Sequence, residues 1–154
     1  MLDTIKSFFE QNIHPEQEED LDHQLKLATA ALLIEMMQQD HKIREVERET
    51  VRDTLQKEFD LTTEETDELF RLAAEEADDA VDYHQFTSLI ARHCSQEQKI
   101  KVVEYLWRIA YSDRHLDALE EHMIRRLADL IYVSHRDFIQ TRHKVEEDLQ
   151  IGNH

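Results

Sequence analysis

What this chain lacks narrows its fold first. It has one glycine (Gly152) and one proline (Pro15), almost none of the punctuation that turns between β-strands require. Short polar links between long segments of 3.6-residue periodicity, in place of such turns, predict an all-α fold. A single cysteine, Cys94, excludes an intrachain disulfide and fits a reducing compartment. No apolar run approaches the length of a membrane-spanning helix, and the first residues lack the apolar core of a secretory signal. The cytoplasm is the expected location. No glycine-rich phosphate loop, nucleophile elbow, H-E-x-x-H or paired Glu-x-x-His of a di-iron bundle occurs. Cys94 directly follows His93, but adjacent residues on a helix do not face each other, so a buried inert thiol is expected. The chain is read as a non-enzyme, with a metal-dependent hydrolase as a distant alternative.

Positive charge is the other scarcity. Eighteen Lys and Arg against 35 Asp and Glu leave a net charge of −17. That balance repels nucleic-acid phosphates and anionic membrane surfaces, and it favours cations and a protein partner with a basic surface. Nucleic acid is therefore not an expected partner.

What is present is helical periodicity, and 154 residues suffice for one well-cored domain. Leu2, Ile5, Phe8, Phe9 and Ile13 form the apolar face of an N-terminal amphipathic helix within residues 1–14. Its polar face is not basic, which favours a helix packed on the body over a membrane- or partner-binding arm. A single helical domain is expected over residues 15–150. Pro15 suits the first turn of its first helix, opened by Glu16, Glu18, Glu19 and Asp20 and continued through Leu25, Leu33 and Met36 to Asp40. The next helix is expected over Arg44 to Phe59. The boxes Thr62-x-x-Glu65, Asp82-x-x-Gln85, Ser95-x-x-Gln98 and Asp117-x-x-Glu120, with Ser134, mark later helix starts. Glu75 to Asp82 reads as an acidic connector, and Phe138, Val145 and Leu149 belong to the last helix. The whole is a seven- or eight-helix bundle whose core includes Leu33, Met36, Val51, Leu106, Ile109, Ile124 and Leu127.

One stretch occurs twice. Leu33-Ile-Glu-Met-Met-Gln-Gln-Asp40-His-Lys-Ile43-Arg-Glu-Val-Glu47 aligns with Leu106-Trp-Arg-Ile-Ala-Tyr-Ser-Asp113-Arg-His-Leu116-Asp-Ala-Leu-Glu120 at a constant offset of 73 residues. Val51 pairs with Ile124 and Phe59 with Tyr132. The shared D-x-x-[IL]-x-x-x-E core predicts two duplicated helix–turn–helix hairpins. In each, an Asp ends one helix and a Glu opens the next, so a hairpin brings the two carboxylates towards each other. Asp40, Glu47, Asp113 and Glu120 are thus candidate ligands for a hard divalent cation, Ca²⁺ or Mg²⁺. His41 and His115 shift the preference towards Zn²⁺ only weakly, because they occupy different positions of the repeat. The competing account is helix capping alone, with Arg44 and Arg114 as local counter-charges; on it, the chain is a purely structural interaction module with an acidic docking face and no metal.

The second joint, Ala110-Tyr-Ser-Asp113 through Glu120-Glu-His-Met-Ile-Arg-Arg-Leu127, resembles the A-x-A-D-G-x-[LI]-x-x-x-E-x-x-x-[IL] signature of the tellurite-resistance protein B (TerB-like) family. The likeness runs from about Leu25 to Glu147, takes in Leu61-Thr-Thr-Glu-Glu65, Phe86 and Arg142-His143, and is closest to the small stand-alone bacterial branch. The resemblance implies a compact all-α domain with duplicated hairpins, an acidic face and a divalent-metal site. It also implies a role in cytoplasmic stress response or at the membrane periphery, without established catalysis. The family's acidic positions match Asp40, Glu47, Asp113 and Glu120. The glycine that follows the Asp in the signature is His41 in one copy and Arg114 in the other. A side chain in a turn suited to positive φ weakens the expected cation site.

Overall fold

The structure, a computed structural model, describes residues 2–14, 19–40, 45–79, 84–112 and 121–150, with backbone alone for 2–4, 39–40, 45–47, 77–79 and 112. These residues form eight α-helices and no strand: α1 (Leu2–Asn12), α2 (Leu21–Asp40), α3 (Glu45–Phe59), α4 (Thr63–Asp79), α5 (Gln85–His93), α6 (Gln96–Ser112), α7 (Glu121–Leu130) and α8 (His135–Asp148). No helix among them is long and apolar enough to cross a membrane.

Position in the bundle follows from where each helix carries its apolar residues. Every residue from Leu27 to Met37 is buried, so α2 has no solvent face along that run and must lie at the centre. It packs against α3, α4, α5 and α6. The second long core helix, α6, packs in turn against α7 and α8. On α8 a narrower stripe, Phe138, Thr141 and Val145, faces inward, as befits an outer helix. The seven residues expected in the core, Leu33, Met36, Val51, Leu106, Ile109, Ile124 and Leu127, are each 0 % exposed. α1 lies on α5 and α4, with Ile5, Phe9 and Ile13 buried and the Phe8 ring edge-on to Phe86 at 6.0 Å. Its apolar face is used by the core.

Three of the expected starts are capped as read. Thr62 and Glu65 form a reciprocal box: Glu65 N donates to Thr62 Oγ1 at 3.0 Å and Thr62 N to Glu65 Oε1 at 2.9 Å. Ser95 and Gln98 do the same before α6, and Ser134 Oγ accepts from Asp137 N at 3.1 Å before α8. Helix ends must manage without glycine. Asp60 and Tyr132 take left-handed φ of 56° and 64° after α3 and α7. Around Tyr132 the bonds Val133 N to Ala128 O and Tyr132 N to Asp129 O make a Schellman turn, with a bulky residue where glycine usually sits.

Several boundaries differ from the sequence reading. α2 begins at Leu21, so Glu19 and Asp20 precede the helix and only Asp22 is acidic in its first turn; Pro15, Glu16 and Glu18 lie outside the described residues. α4 runs through Glu75 to Asp79, where an acidic connector was expected, because Glu76 continues the inward stripe of Leu69, Leu72 and Ala73 and is 1 % exposed. Leu130 and Leu149 are exposed. Tyr132 does not match Phe59 in burial: Phe59 is 2 % exposed and Tyr132 75 %, while Ile131 takes the buried place, so the offset shortens by one residue at that turn.

Truncating Leu106 to Ala, in the centre of α6, should cost about 2–5 kcal/mol. Urea denaturation measures it; a loss under about 1 kcal/mol would mean that the α2–α6 seam carries little of the stability.

Candidate functional site

The joints come first because the sequence points there. Asp40 is the last residue of α2 and Glu47 lies in the first turn of α3, both with backbone alone described. Asp113, Glu120, Asp117, His41, His115, Arg44 and Arg114 lie outside the described residues. What is described is the frame on either side. Beside the second joint, Arg142 of α8 donates to Glu121 at the start of α7, to Tyr111 Oη near the end of α6 (3.1 Å) and to Glu146 (3.3 Å). Its guanidinium also stacks on Trp107, 5.1 Å from the ring centre, and Tyr111 Oη donates to Glu146 at 2.5 Å. A planar fork with several donors is suited to tying three helices at one point. Beside the first joint, Arg48 and Arg52 of α3 reach Asp67 of α4 at 3.7 and 3.4 Å, and Arg48 lies over the Phe70 ring.

A second polar region lies where α2, α3 and α6 meet, lining a cleft of about 280 Å³. Tyr105 Oη donates to Asp22, and Lys26 and Lys101 both lie over the Tyr105 ring. Burial, then the Asp22 carboxylate, raises the Tyr105 phenol well above its ordinary range. Glu104 is 3 % exposed and accepts from Lys144 Nζ (3.0 Å), Arg108 Nη2 (3.0 Å) and Lys101 Nζ (3.4 Å). Burial works to raise its pKa, but the bonds from Lys144 and Arg108 and the charge of Lys101 outweigh it, and the net shift is downward. The cleft holds both signs of charge in alternation and has no net preference for an anion.

The third region escaped the sequence reading. α5 begins at Gln85, after His84 in a left-handed conformation whose side chain makes no capping bond. Asp82 of the expected Asp82-x-x-Gln85 box lies outside the described residues; the helix starts at Gln85, and two distant carboxylates take its free N–H groups. Gln85 N donates to Glu76 Oε2 at 2.8 Å, Phe86 N to Glu35 Oε2 at 2.8 Å, and Thr87 N and Oγ1 to Glu35 Oε1 at 3.1 and 2.7 Å. Glu35 is 0 % exposed. Burial, then a hydrogen bond with Glu76, holds its carboxyl well above the ordinary range. The signal was legible in part: Leu32-Leu-Ile-Glu35-Met-Met37 sets one carboxylate in a run with no polar face, and such a group must be bonded or protonated. Its partners, 51 and 52 residues away, were not legible.

The lone thiol, Cys94, is buried and its pKa is pushed up to about 11 by that burial, which suits packing better than nucleophilic chemistry. Among the described residues no three His, Cys, Asp or Glu side chains are grouped to hold a metal ion.

An all-helical bundle with two long core helices, whose carboxylates cap helix ends or pair with basic side chains, defines the structural class. The chain belongs to the tellurite resistance protein TerB family, whose model matches residues 26–143, from α2 into α8. No curated protein and no solved structure matches it.

Because its pKa is lowered in the folded state, Glu104 contributes stability above the ordinary carboxylate value of 4.5 and loses it as pH falls through the lowered value. Glu104→Gln should therefore cost about 1–3 kcal/mol at pH 7, and its deficit should shrink by pH 3. Urea melts of both proteins at the two pH values check this.

Proposed function

We propose that this chain is a non-enzymatic TerB-family binding module of the cytoplasm, serving a stress response or tellurite resistance. Its two joints take up a hard divalent cation through Asp40, Glu47, Asp113 and Glu120. The observation that carries the reading is the repeated Asp-to-Glu spacing, seven residues in both copies, within the stretch that the family model matches. Capping one helix does not require the same pair at the same spacing twice. The order of the helices supports a duplication: α2, α3 and α4 precede α6, α7 and α8 by close to the 73-residue offset of the motif. Oxygen-only donors suit Ca²⁺ or Mg²⁺ better than Zn²⁺. The frame fits as well, since Arg142 beside the second joint already has Glu121 and Glu146 as partners. An ion held there would neutralise facing carboxylates and brace the helix pairs against each other.

The net charge of −17 favours a second reading, in which an acidic face docks a basic protein surface and the four carboxylates only cap helices. Thermal melts and calorimetric titration of chelator-treated protein with Ca²⁺, Mg²⁺, Mn²⁺ and Zn²⁺ separate the two. On the cation reading, an ion at a hundredfold excess over its dissociation constant stabilises the native state by about 2.7 kcal/mol. Asp113→Asn should remove much of that gain and leave the metal-free protein nearly unchanged. On the capping reading no ion shifts the melting temperature, and Glu120→Ala costs about 1 kcal/mol or less with or without metal.

A further inference from the structure

We propose that Glu35 and Glu76 form a proton-held latch on α5: one proton seats the N-terminus of α5, with α1 upon it, on α2 and α4, and losing that proton lets α5 lift. The inference is independent of the cation reading. Glu35 is 0 % and Glu76 1 % exposed, and their carboxyls accept from consecutive N–H groups, Phe86 N to Glu35 Oε2 and Gln85 N to Glu76 Oε2, both at 2.8 Å, which sets them side by side. Fully ionised, neither could donate a hydrogen bond to the other. Side by side in a medium of low dielectric they would also repel strongly. The start of a nine-residue helix, with three N–H groups and the Thr87 hydroxyl, is well matched to one negative charge. It is poorly matched to two. A proton on Glu35 removes that repulsion and leaves one negative charge at the helix start.

The surroundings concentrate the effect there. The strongest charged influence on Glu35 is Glu76 of α4, and burial of Glu35 itself acts in the same direction. From α5, His84 stands at the helix start with Nδ1 buried and without a hydrogen-bond partner among the described residues. On α1, Lys6 and Glu10 are exposed. On α6, Lys99 lies over Tyr132, while Lys101, Glu104 and Arg108 are engaged with one another and with α8. On α3, Arg48 and Arg52 reach Asp67, and on α7, Glu121 is taken by Arg142. α5 carries α1 through two ring contacts, Phe8 on Phe86 and Phe9 on His93 at 5.6 Å. A change at the start of α5 is thus passed to the first helix of the chain.

The sign of the linkage follows. The folded state keeps a proton on Glu35 that the unfolded chain releases above the ordinary value of 4.5, so stability falls as pH rises, until Glu35 titrates in the folded state. Glu35→Gln removes the titrating carboxyl at nearly constant volume; its one amide oxygen keeps either the Thr87 bonds or the Phe86 bond, which the two carboxyl oxygens take separately, so the variant carries a pH-independent cost and no proton to lose. Chemical denaturation of the full chain and of Glu35→Gln from pH 5.5 to 9 isolates Glu35, because groups away from α5 contribute equally to both. The wild type should lose about tenfold in its folding constant per pH unit relative to the variant, up to the point where Glu35 titrates. Hydrogen exchange should show α5 amides losing protection relative to α8 amides over the same range in the wild type alone. A difference that stays constant with pH overturns the latch. Should the variant not fold, ¹³C NMR of glutamate carboxyls in the wild type decides. One carboxyl still protonated at pH 7 upholds the proposal, and a full set of carboxylate shifts defeats it.

Discussion

Burying a helix on every face leaves its polar groups nowhere to go except into other helices, and α2 is buried in this way from Leu27 to Met37. Thr29 solves the problem locally, donating back to Leu25 O at 2.7 Å. Glu35 cannot, and an isolated carboxylate there would be prohibitively costly. Its solution is to take over the N-terminus of α5, which has no capping side chain of its own. Two liabilities, a buried acid and an uncapped helix, are resolved by one set of bonds. The price is that α5 depends on a residue it cannot carry with it, and on the state of a proton.

The same economy governs the rest of the charge. A chain with net charge −17 must keep its carboxylates apart or give them positive partners. Where α6 meets α8 it does the latter: Glu104 gathers Lys101, Arg108 and Lys144, and Arg108 continues to Asp148 at 2.6 Å. At the outer end Arg142 gathers Glu121, Glu146 and Tyr111 over the Trp107 ring. Elsewhere His23 meets Glu65 at 2.9 Å, and Glu65 also closes the capping box of α4. The scarce basic residues act as cross-links between helices, and so the bundle is held at its periphery as well as in its core.

Scarcity of glycine has its own consequence. Left-handed turns after helices fall to Asp60 and Tyr132, and His84 takes one before α5. Asp tolerates that region because its short side chain bonds locally, whereas an aromatic there costs about 1–2 kcal/mol. The chain accepts such turns within the described residues. In sequence, the glycine of the family signature is likewise replaced, by His41 in one copy and Arg114 in the other.

Periodicity and capping chemistry are local, and so they could be read from the chain alone. The all-α class, the helices at Thr62, Ser95 and Ser134, and the buried stripe from Leu33 to Leu127 all follow from residues within one or two turns of each other. The TerB resemblance rests on a motif of that length too. Boundaries set by distant partners could not be read: α4 extends past Glu75 because Glu76 has a place inside, and α5 starts at Gln85 because Glu35 and Glu76 accept its N–H groups. Asp82-x-x-Gln85 looked like a cap because pattern carries no information about competing acceptors elsewhere. The sequence determined that Glu35 needed a partner, for a carboxylate amid Leu, Ile and Met cannot stand alone. Only the tertiary structure decided that the partner would be the end of another helix, because which helix end lies within hydrogen-bonding reach depends on how all the others pack.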